Sequence, residues 1–593
     1  MKNKTIAVLP FVNMSSNIEN EYFSDGITEE IINALAKIDQ LRVTSRTSSF
    51  FFKNKNIPIG EIGKSLGVNT LLEGSVRLSG NAMRVTAQLI DATNDYHFWS
   101  ETWDRKLDNI FEVQDEISLL IADKLREQFG HFEIQEHLVE KKTESLDAYT
   151  YFLKGRHHFH KWNPDDVKVS IGFYEKALDL DPNHTEAMVG LADAYSFLAT
   201  IAVISFEEGW GKCAELTHKA LSINYELPAA HYQLANLAFF TACNYLESFQ
   251  HAKKAIELNS NHIESQQFMA FLYIVAGKNA DAKKHLEIAL SLDPLSQETQ
   301  FYNGFIKYML EDYEQSIIQL DACLKVNPLN IPVHSVKSMC LIMLGKYKEA
   351  SHYFDSLPSE IVIESEKTGI QTIAYSKLGN LEKSEESLKQ LKEQSLGENG
   401  FTADSYLFLL AGILKQNEIV FTWLEEALKK GSPLLLLRYS DPMVNPIKSD
   451  SRYRDYYEKL FPSTLFQKGE NSTKKKAPFD SETVLKVKNQ IIELFESEKP
   501  FIDPELSLRS LAKQLNIHHN HLSWLLNDGF SKNFNEFVNQ YRIGHFKTIA
   551  KEPGNAKLTI MALAFDSGFN SKTVFNSYFK KETGQTPKEF LKG

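Results

Sequence analysis

Long apolar runs are missing from this chain. No window of the 593 residues reaches the length of about eighteen apolar residues that a bilayer helix needs. The opening MKNKTIAVLPF turns polar too soon to be the hydrophobic region of a signal peptide. Neither a membrane partner nor export is expected, which makes the expected location cytoplasmic. Cysteine is equally scarce. Cys213, Cys243, Cys323 and Cys340 are scattered with no CxxC pair, which excludes a disulfide framework or zinc ribbon and leaves small buried hydrophobes in a reducing compartment.

Motifs of chemistry are missing too. No GxxxxGK[ST] occurs, and Gly60, Gly63, Gly67 and Gly74 do not make a dinucleotide fingerprint. There is no GxSxG and no HExxH. Two histidine-rich stretches, RHHFH (156–160) and HHNH (518–521), have no cysteine or acidic partner at a metal-ligand interval. The expectation is therefore a protein that is not an enzyme and takes no metal and no cofactor.

What is present is unevenly distributed. The net charge is −12, yet residues 474–593 carry 18 Lys/Arg against 13 Asp/Glu, so +5 sits in the tail and −17 in the rest. A polyanion would be repelled by most of the chain and tolerated at its end.

Periodicity separates three regions. Residues 1–130 mix strand text, TIAVLPF (5–11) and MRVTAQLIDA (83–92), with helical text, FSDGITEEIINALAKI (23–38) and EVQDEISLLIADKLREQF (112–129). Thr28 or Asp25 is the expected cap of the first helix, and the region reads as an α/β domain. Residues 145–460 repeat every 34 residues: Gly345 and Gly379, Pro294 and Pro328, and Ala282, Ser316 and Ala350 keep that rhythm. Each unit reads as two short helices that bury their apolar faces only by stacking on neighbours, eight or nine in all. Extra spacing around TIAVISFEEGWG predicts an inserted loop. Residues 463–480 read as a linker with a solvated KKK run, and 484–593 form the last domain.

That last domain repeats itself. LSLRSLAKQLNIHHNHLSWLL (506–526) aligns with LTIMALAFDSGFNSKTVFNSYF (558–579), pairing Leu511 with Leu563, Ala512 with Ala564, and Ile517 with Phe569. Asn516 and Gly568 take the turn position, where a left-handed backbone favours these two residue types. The pattern is a duplicated helix-turn-helix. Leu522, Leu525 and Leu526 should point inward in the first copy; Phe575, Tyr578 and Phe579 should do so in the second. His519, Asn520, Ser523 and Trp524 remain for the outward face of one reading helix, and Lys572, Thr573, Asn576 and Ser577 for the other. Side chains of this kind meet base edges in the major groove, with Lys580 and Lys581 placed for phosphates. The connector NFNEFVNQYRIGHFKTIA (533–550) would hold the two helices roughly 27 Å apart, near the spacing of successive major grooves.

The quoted motifs carry three resemblances. GFNSKTVFNSYFKKETGQTPKEF and the FNEFVNQYRIGHFKTIA connector resemble the DNA-binding domain of the AraC/XylS family of bacterial transcription regulators, from about Val484 to Phe590. That resemblance implies base-facing roles for Asn520, Ser523, Trp524, Lys572, Thr573, Asn576 and Ser577. Many relatives place arginine where Trp524 and Ser577 stand, so the target sequence does not follow. The repeats resemble tetratricopeptide units, most closely from Ile263 to Ser356, which implies a binding surface or a rigid spacer. EGSVRLSGNAMRVTAQLIDATNDYHFWSETWDR (73–105), SDGITEEIINAL and IFEVQDEIS resemble the TolB-like N-terminal domain fused to bacterial cyclases, kinases and regulators, which implies no chemistry of its own.

The expected architecture is thus multidomain: an N-terminal α/β domain, a central all-α tetratricopeptide solenoid and a C-terminal all-α double helix-turn-helix. The expected function is an AraC-like, sequence-specific DNA-binding transcription regulator. Its partners would be double-stranded DNA, a second copy in a homodimer, and a protein or small-molecule effector on the repeats or the α/β domain. The competing expectation is an interaction scaffold that binds DNA only non-specifically.

Overall fold

A computed structural model describes residues 4–15, 21–80, 82–106, 110–139, 143–397, 400–466, 479–555 and 557–591. The chain divides into two compact units whose segments interleave. One gathers Met1–Val43, Phe52–Glu140 and Glu470–Gly593, and the other gathers Thr44–Phe51 and Lys141–Gly469. Most of the 463–480 linker, its KKK run included, lies outside the described residues.

The first unit begins with strands β1 (Thr5–Val8) and β2 (Val12–Asn13), helix α1 (Glu21–Ala36) and strand β3 (Arg42–Val43). After helix α2 (Arg46–Phe50) come α3 (Ile59–Leu66), a meander of β4 (Thr70–Ser79), β5 (Ala82–Asp91) and β6 (Tyr96–Lys106), and the long α4 (Ile110–Phe129). The strand order is β3-β1-β4-β5-β6, with β2 also on β4. β1 runs parallel to β3 and β4, and β4, β5 and β6 pair antiparallel. Alternation along β5 sends Met83, Val85, Ala87 and Leu89 inward. There they join Ile27, Ile31 and Leu35 of α1 and Ile117, Ile121 and Leu125 of α4 in one core. Each of these side chains larger than alanine stabilises the fold by about 1.5–3 kcal/mol through burial.

Helix α1 begins earlier than the capping residues suggested. Thr28 lies inside it, buried, where its hydroxyl donates to the Ser24 carbonyl (2.8 Å) and accepts from Phe11 N–H (2.9 Å). A tertiary contact, not a helix end, explains its polarity. Asp25 instead pairs with Lys53 at 2.7 Å.

The described residues of the second unit stack eight antiparallel helix pairs, from Leu146–Phe159 with Pro164–Leu180 to Phe401–Ile413 with Asn417–Lys430. Ala282, Ser316 and Ala350 are fully buried where helices cross. Left-handed residues close the first helix at Cys243, Gly277, Glu311, Gly345 and Gly379, a strict interval of 34. Two of these turns therefore stand on non-glycine residues, which hid them in the sequence. No inserted loop disturbs the second pair. Thr185–Thr200 and Phe206–Ile223 are 16 and 18 residues long, and the extra length is wound into the helices. A buried polar network closes the stack: Tyr308 donates to Asp441 at 2.7 Å, and Arg438 lies 3.6 Å from the same carboxylate.

Segment Thr44–Phe51 belongs to this second unit. Ser45 N–H donates to the Leu292 carbonyl (2.7 Å), and the hydroxyls of Ser45 and Ser48 both donate to buried Asp293, Ser48 at 2.6 Å.

Among the described residues no helix is long and apolar enough to cross a membrane. Cys213, Cys323 and Cys340 are buried free thiols, and burial pushes the Cys213 and Cys340 thiols up to about 12.

Candidate nucleic-acid interface

The C-terminal region contains two copies of a short helix followed by a longer one. Leu508–Gln514 leads to His519–Gly529, and Ile560–Asp566 leads to Lys572–Thr583. Serine and threonine side chains start three of these helices: Ser507, Thr559 and Ser571 each accept a backbone N–H from the first turn. The turns need left-handed backbone at Asn516 (φ 53°) and Gly568 (φ 92°). At Gly568 a side chain has no room either, because a Cβ would fall on the carbonyl oxygen of Phe501.

Helix Phe534–Ile549 joins the copies. Its 16 residues span about 24 Å, and Asn533 and Glu536 cap it in a reciprocal box. Arg542 ties it to the first copy, donating to the carbonyls of Phe501 (2.7 Å) and Asp503 (2.8 Å). Burial pulls that guanidinium down to about 10. Leu522, Leu525 and Leu526 are buried in one core, Phe575 and Phe579 in the other, with Tyr578 half-buried beside them.

The outward faces of the two longer helices differ. In the second copy Lys572, Thr573, Ser577, Lys580 and Lys581 are exposed and Asn576 is half-exposed. Lys581 pairs with Glu536 at 2.7 Å, whereas Lys580 projects from the next position of the same turn. This helix presents polar donors beside a cationic end, the combination that a groove edge and its phosphates require.

In the first copy the expected face is covered. Ser523, expected outward, is only 2% exposed. His519, Asn520 and Trp524 are half-buried, and Asp528 alone of residues 519–529 is exposed. Trp524 packs against its own core and against Phe479, ring centroids 6.3 Å apart. The rest of the cover comes from the α/β domain. Arg126 of α4 donates from Nη1 to Asn520 Oδ1, and its Nη2 lies 2.9 Å from His519 Nδ1. Asn520 Nδ2 donates to the Ile134 carbonyl at 3.2 Å. Asp123 accepts from both Arg126 and Arg509, and Glu127 accepts the N–H of Leu508 at 2.8 Å. An acidic side chain of one domain thereby caps a helix of another, where the dipole favours negative charge. Gln128 accepts from Asn533 and Asn535 at 3.0 and 3.2 Å. Burial and the nearby Arg126 and Arg509 charges hold the His519 imidazole down to about 3.

Arg126 was the contact residue least visible in the sequence. It stands in the last turn of α4, where a basic residue reads as a partner of the helix dipole. The histidines of both clusters make ordinary contacts, such as His158 Nδ1 with Asp166 at 2.7 Å. Among the described residues no group of three or more potential ligands could hold a metal ion.

Comparison with known proteins adds two family matches. Residues 511–593 match a helix-turn-helix domain family. Residues 2–120 match the second domain of HilA/YgeH-like transcriptional regulators, where the sequence motifs suggested a TolB-like domain. Among relatives, a Rhizobium meliloti (strain 1021) protein named for adenylate cyclase is 36% identical over 239 residues, 39% of this chain and 39% of that protein. The HTH-type transcriptional regulator YijO of Escherichia coli (strain K12) is 32% identical over 101 residues, 16% of this chain and 35% of YijO. The chain thus spans well under half the length of either relative. A solved tetratricopeptide repeat protein from Parabacteroides merdae aligns at 14% identity with a TM-score of 0.30, covering 44% of this chain and 98% of that one. The C-terminal segment is thus similar to a helix-turn-helix domain, and the N-terminal segment to a HilA-like regulator domain.

Proposed function

We propose that the protein is a sequence-specific DNA-binding transcription regulator. The observation that carries this reading is the second reading helix. Lys572, Thr573 and Ser577 stand free on one face, with Lys580 beside them, on a helix braced from behind by Phe575 and Phe579. Two family matches to regulator domains, one at each end of the chain, support it. The cyclase name of the Rhizobium relative belongs to a protein matched over 39% of its length and is not carried to this chain.

In this reading Lys572, Thr573, Asn576 and Ser577 contact base edges and Lys580 contacts phosphate, with Lys581 joining once freed from Glu536. His519, Asn520, Ser523 and Trp524 serve the first helix. The solenoid and the α/β domain receive a protein or small-molecule effector, and the regulator acts in the cytoplasm as a homodimer that pairs half-sites.

Selection from a pool of random duplexes, followed by titration at two salt concentrations, tests this. Discrimination of at least about 10³ between enriched and random duplexes is expected. Equal, steeply salt-dependent binding to both would reduce the protein to a scaffold with only electrostatic affinity for DNA.

A further inference from the structure

The contact between α4 and the first reading helix resembles the contact that helix would make with DNA. An asparagine reads adenine by accepting from the N6 amino group and donating to N7. In this structure Asn520 accepts from Arg126 Nη1 and donates to the Ile134 carbonyl. The α/β domain thus presents a donor and an acceptor to one amide, as an adenine edge does. Arg509, on the helix before the turn, meets the Asp123 carboxylate, an anion where a helix-turn-helix meets phosphate. Ser523 and Asn527 continue the same face: Ser523 is buried, and a Cβ on Gly130 would fall on Asn527 Oδ1.

We propose that the α/β domain is a built-in competitor of DNA: through Asp123, Arg126, Glu127 and Ile134 it occupies the base-reading and phosphate-facing groups of the first helix-turn-helix. The proposal rests on the DNA-binding reading above. It follows that the docked chain offers only its second reading helix to a groove, and that binding across two grooves requires undocking. The composition of the contact suits a reversible one. Asp123, Arg126, Glu127 and Gln128 face the Leu508 N–H, Arg509, His519, Asn520, Asn533 and Asn535 through hydrogen bonds, and polar interfaces of this kind within a chain exchange readily. A signal that pulls α4 away would expose the reader, and DNA that captures the reader would release α4. The two equilibria are reciprocal.

The test uses the full chain and two variants on the α/β side, Arg126→Ala and Glu127→Ala; the second leaves the buried guanidinium in place should the first misfold. Amide exchange over 508–527 reports docking without DNA. Affinity is measured for a duplex enriched from a random pool by the Arg126→Ala or the Glu127→Ala chain. Both variants are expected to exchange faster over 508–527 and to bind that duplex at least about tenfold more tightly than the unaltered chain, with a longer footprint. Saturating the unaltered chain with duplex should speed exchange over 123–134. Faster exchange in the variants without a gain in affinity, or undiminished protection of 123–134 in the saturated chain, overturns the competition. Failure of the unaltered chain and both variants to enrich any duplex overturns the DNA-binding reading itself. That failure is separable, because exchange reports docking independently.

Discussion

Arg126 and Asn520 are 394 residues apart in sequence and joined by a hydrogen bond between their side chains. The bond links the last turn of the α/β domain's final helix to the first turn of the helix His519–Gly529, so the surroundings of Asn520 are set partly by another domain.

The second reading helix carries the sharpest test of specificity. Asn576→Ala and Thr573→Ala should each weaken binding to the enriched duplex by about 1–3 kcal/mol while leaving random-sequence affinity nearly unchanged. Lys580→Ala should weaken both and reduce the salt slope by about 0.9. Titrations at several salt concentrations separate the two behaviours, and an enriched duplex indifferent to Asn576 and Thr573 would reassign the reading face.

Docking should respond to acid. His519 holds its proton only near pH 3 when docked and near its ordinary value of 6.5 when released, because burial and the Arg126, Arg509 and His518 charges oppose protonation. Asp123 and Glu127 are the acidic groups of the same contact. The docked state therefore has its full stability above about pH 6.5 and loses it progressively as the pH falls toward 3. Protection factors over 508–527 should be lower at pH 5.5 than at pH 7.5, and His519→Gln should flatten that difference.

Gly568 should tolerate no side chain. Its φ of 92° lies in a range that L residues rarely adopt, and a Cβ would strike the Phe501 carbonyl. Gly568→Ala is expected to cost at least about 1–3 kcal/mol, read as lost exchange protection around Leu563 and Phe575 with the solenoid unaffected. At Asn516, where φ is 53°, Asn516→Gly should be tolerated.

Asp441→Ala should unfold the end of the solenoid more readily. Asp441 is 2% exposed, accepts from Tyr308 and faces buried Arg438. Removing it takes one buried carboxylate from the guanidinium and the acceptor from Tyr308, at a cost of up to about 3–5 kcal/mol. Urea unfolding followed by circular dichroism should show it. Asp441→Asn, which still accepts from Tyr308, should lose less.

Much of this molecule is legible because its patterns are local. The 34-residue rhythm of Gly277, Gly345 and Gly379 follows from a turn that needs left-handed backbone, and the match of Ala512 to Ala564 follows from two helices crossing closely. Cys243 and Glu311 occupy the same turn without the glycine signal, since neighbouring repeats hold the backbone there despite its strain. Thr28 read as a cap for the opposite reason: its hydroxyl is used by Phe11, a partner seventeen residues away.

By itself the sequence determined the helices, their inward faces and the two turns, because each depends on residues within a few positions of one another. The tertiary structure alone decided that Ser523 is buried, that Asn520 is already bonded and that Arg126 does the bonding. Outward-facing on a helix is a property of spacing, whereas exposure depends on what packs there, and no periodicity records a partner hundreds of residues away.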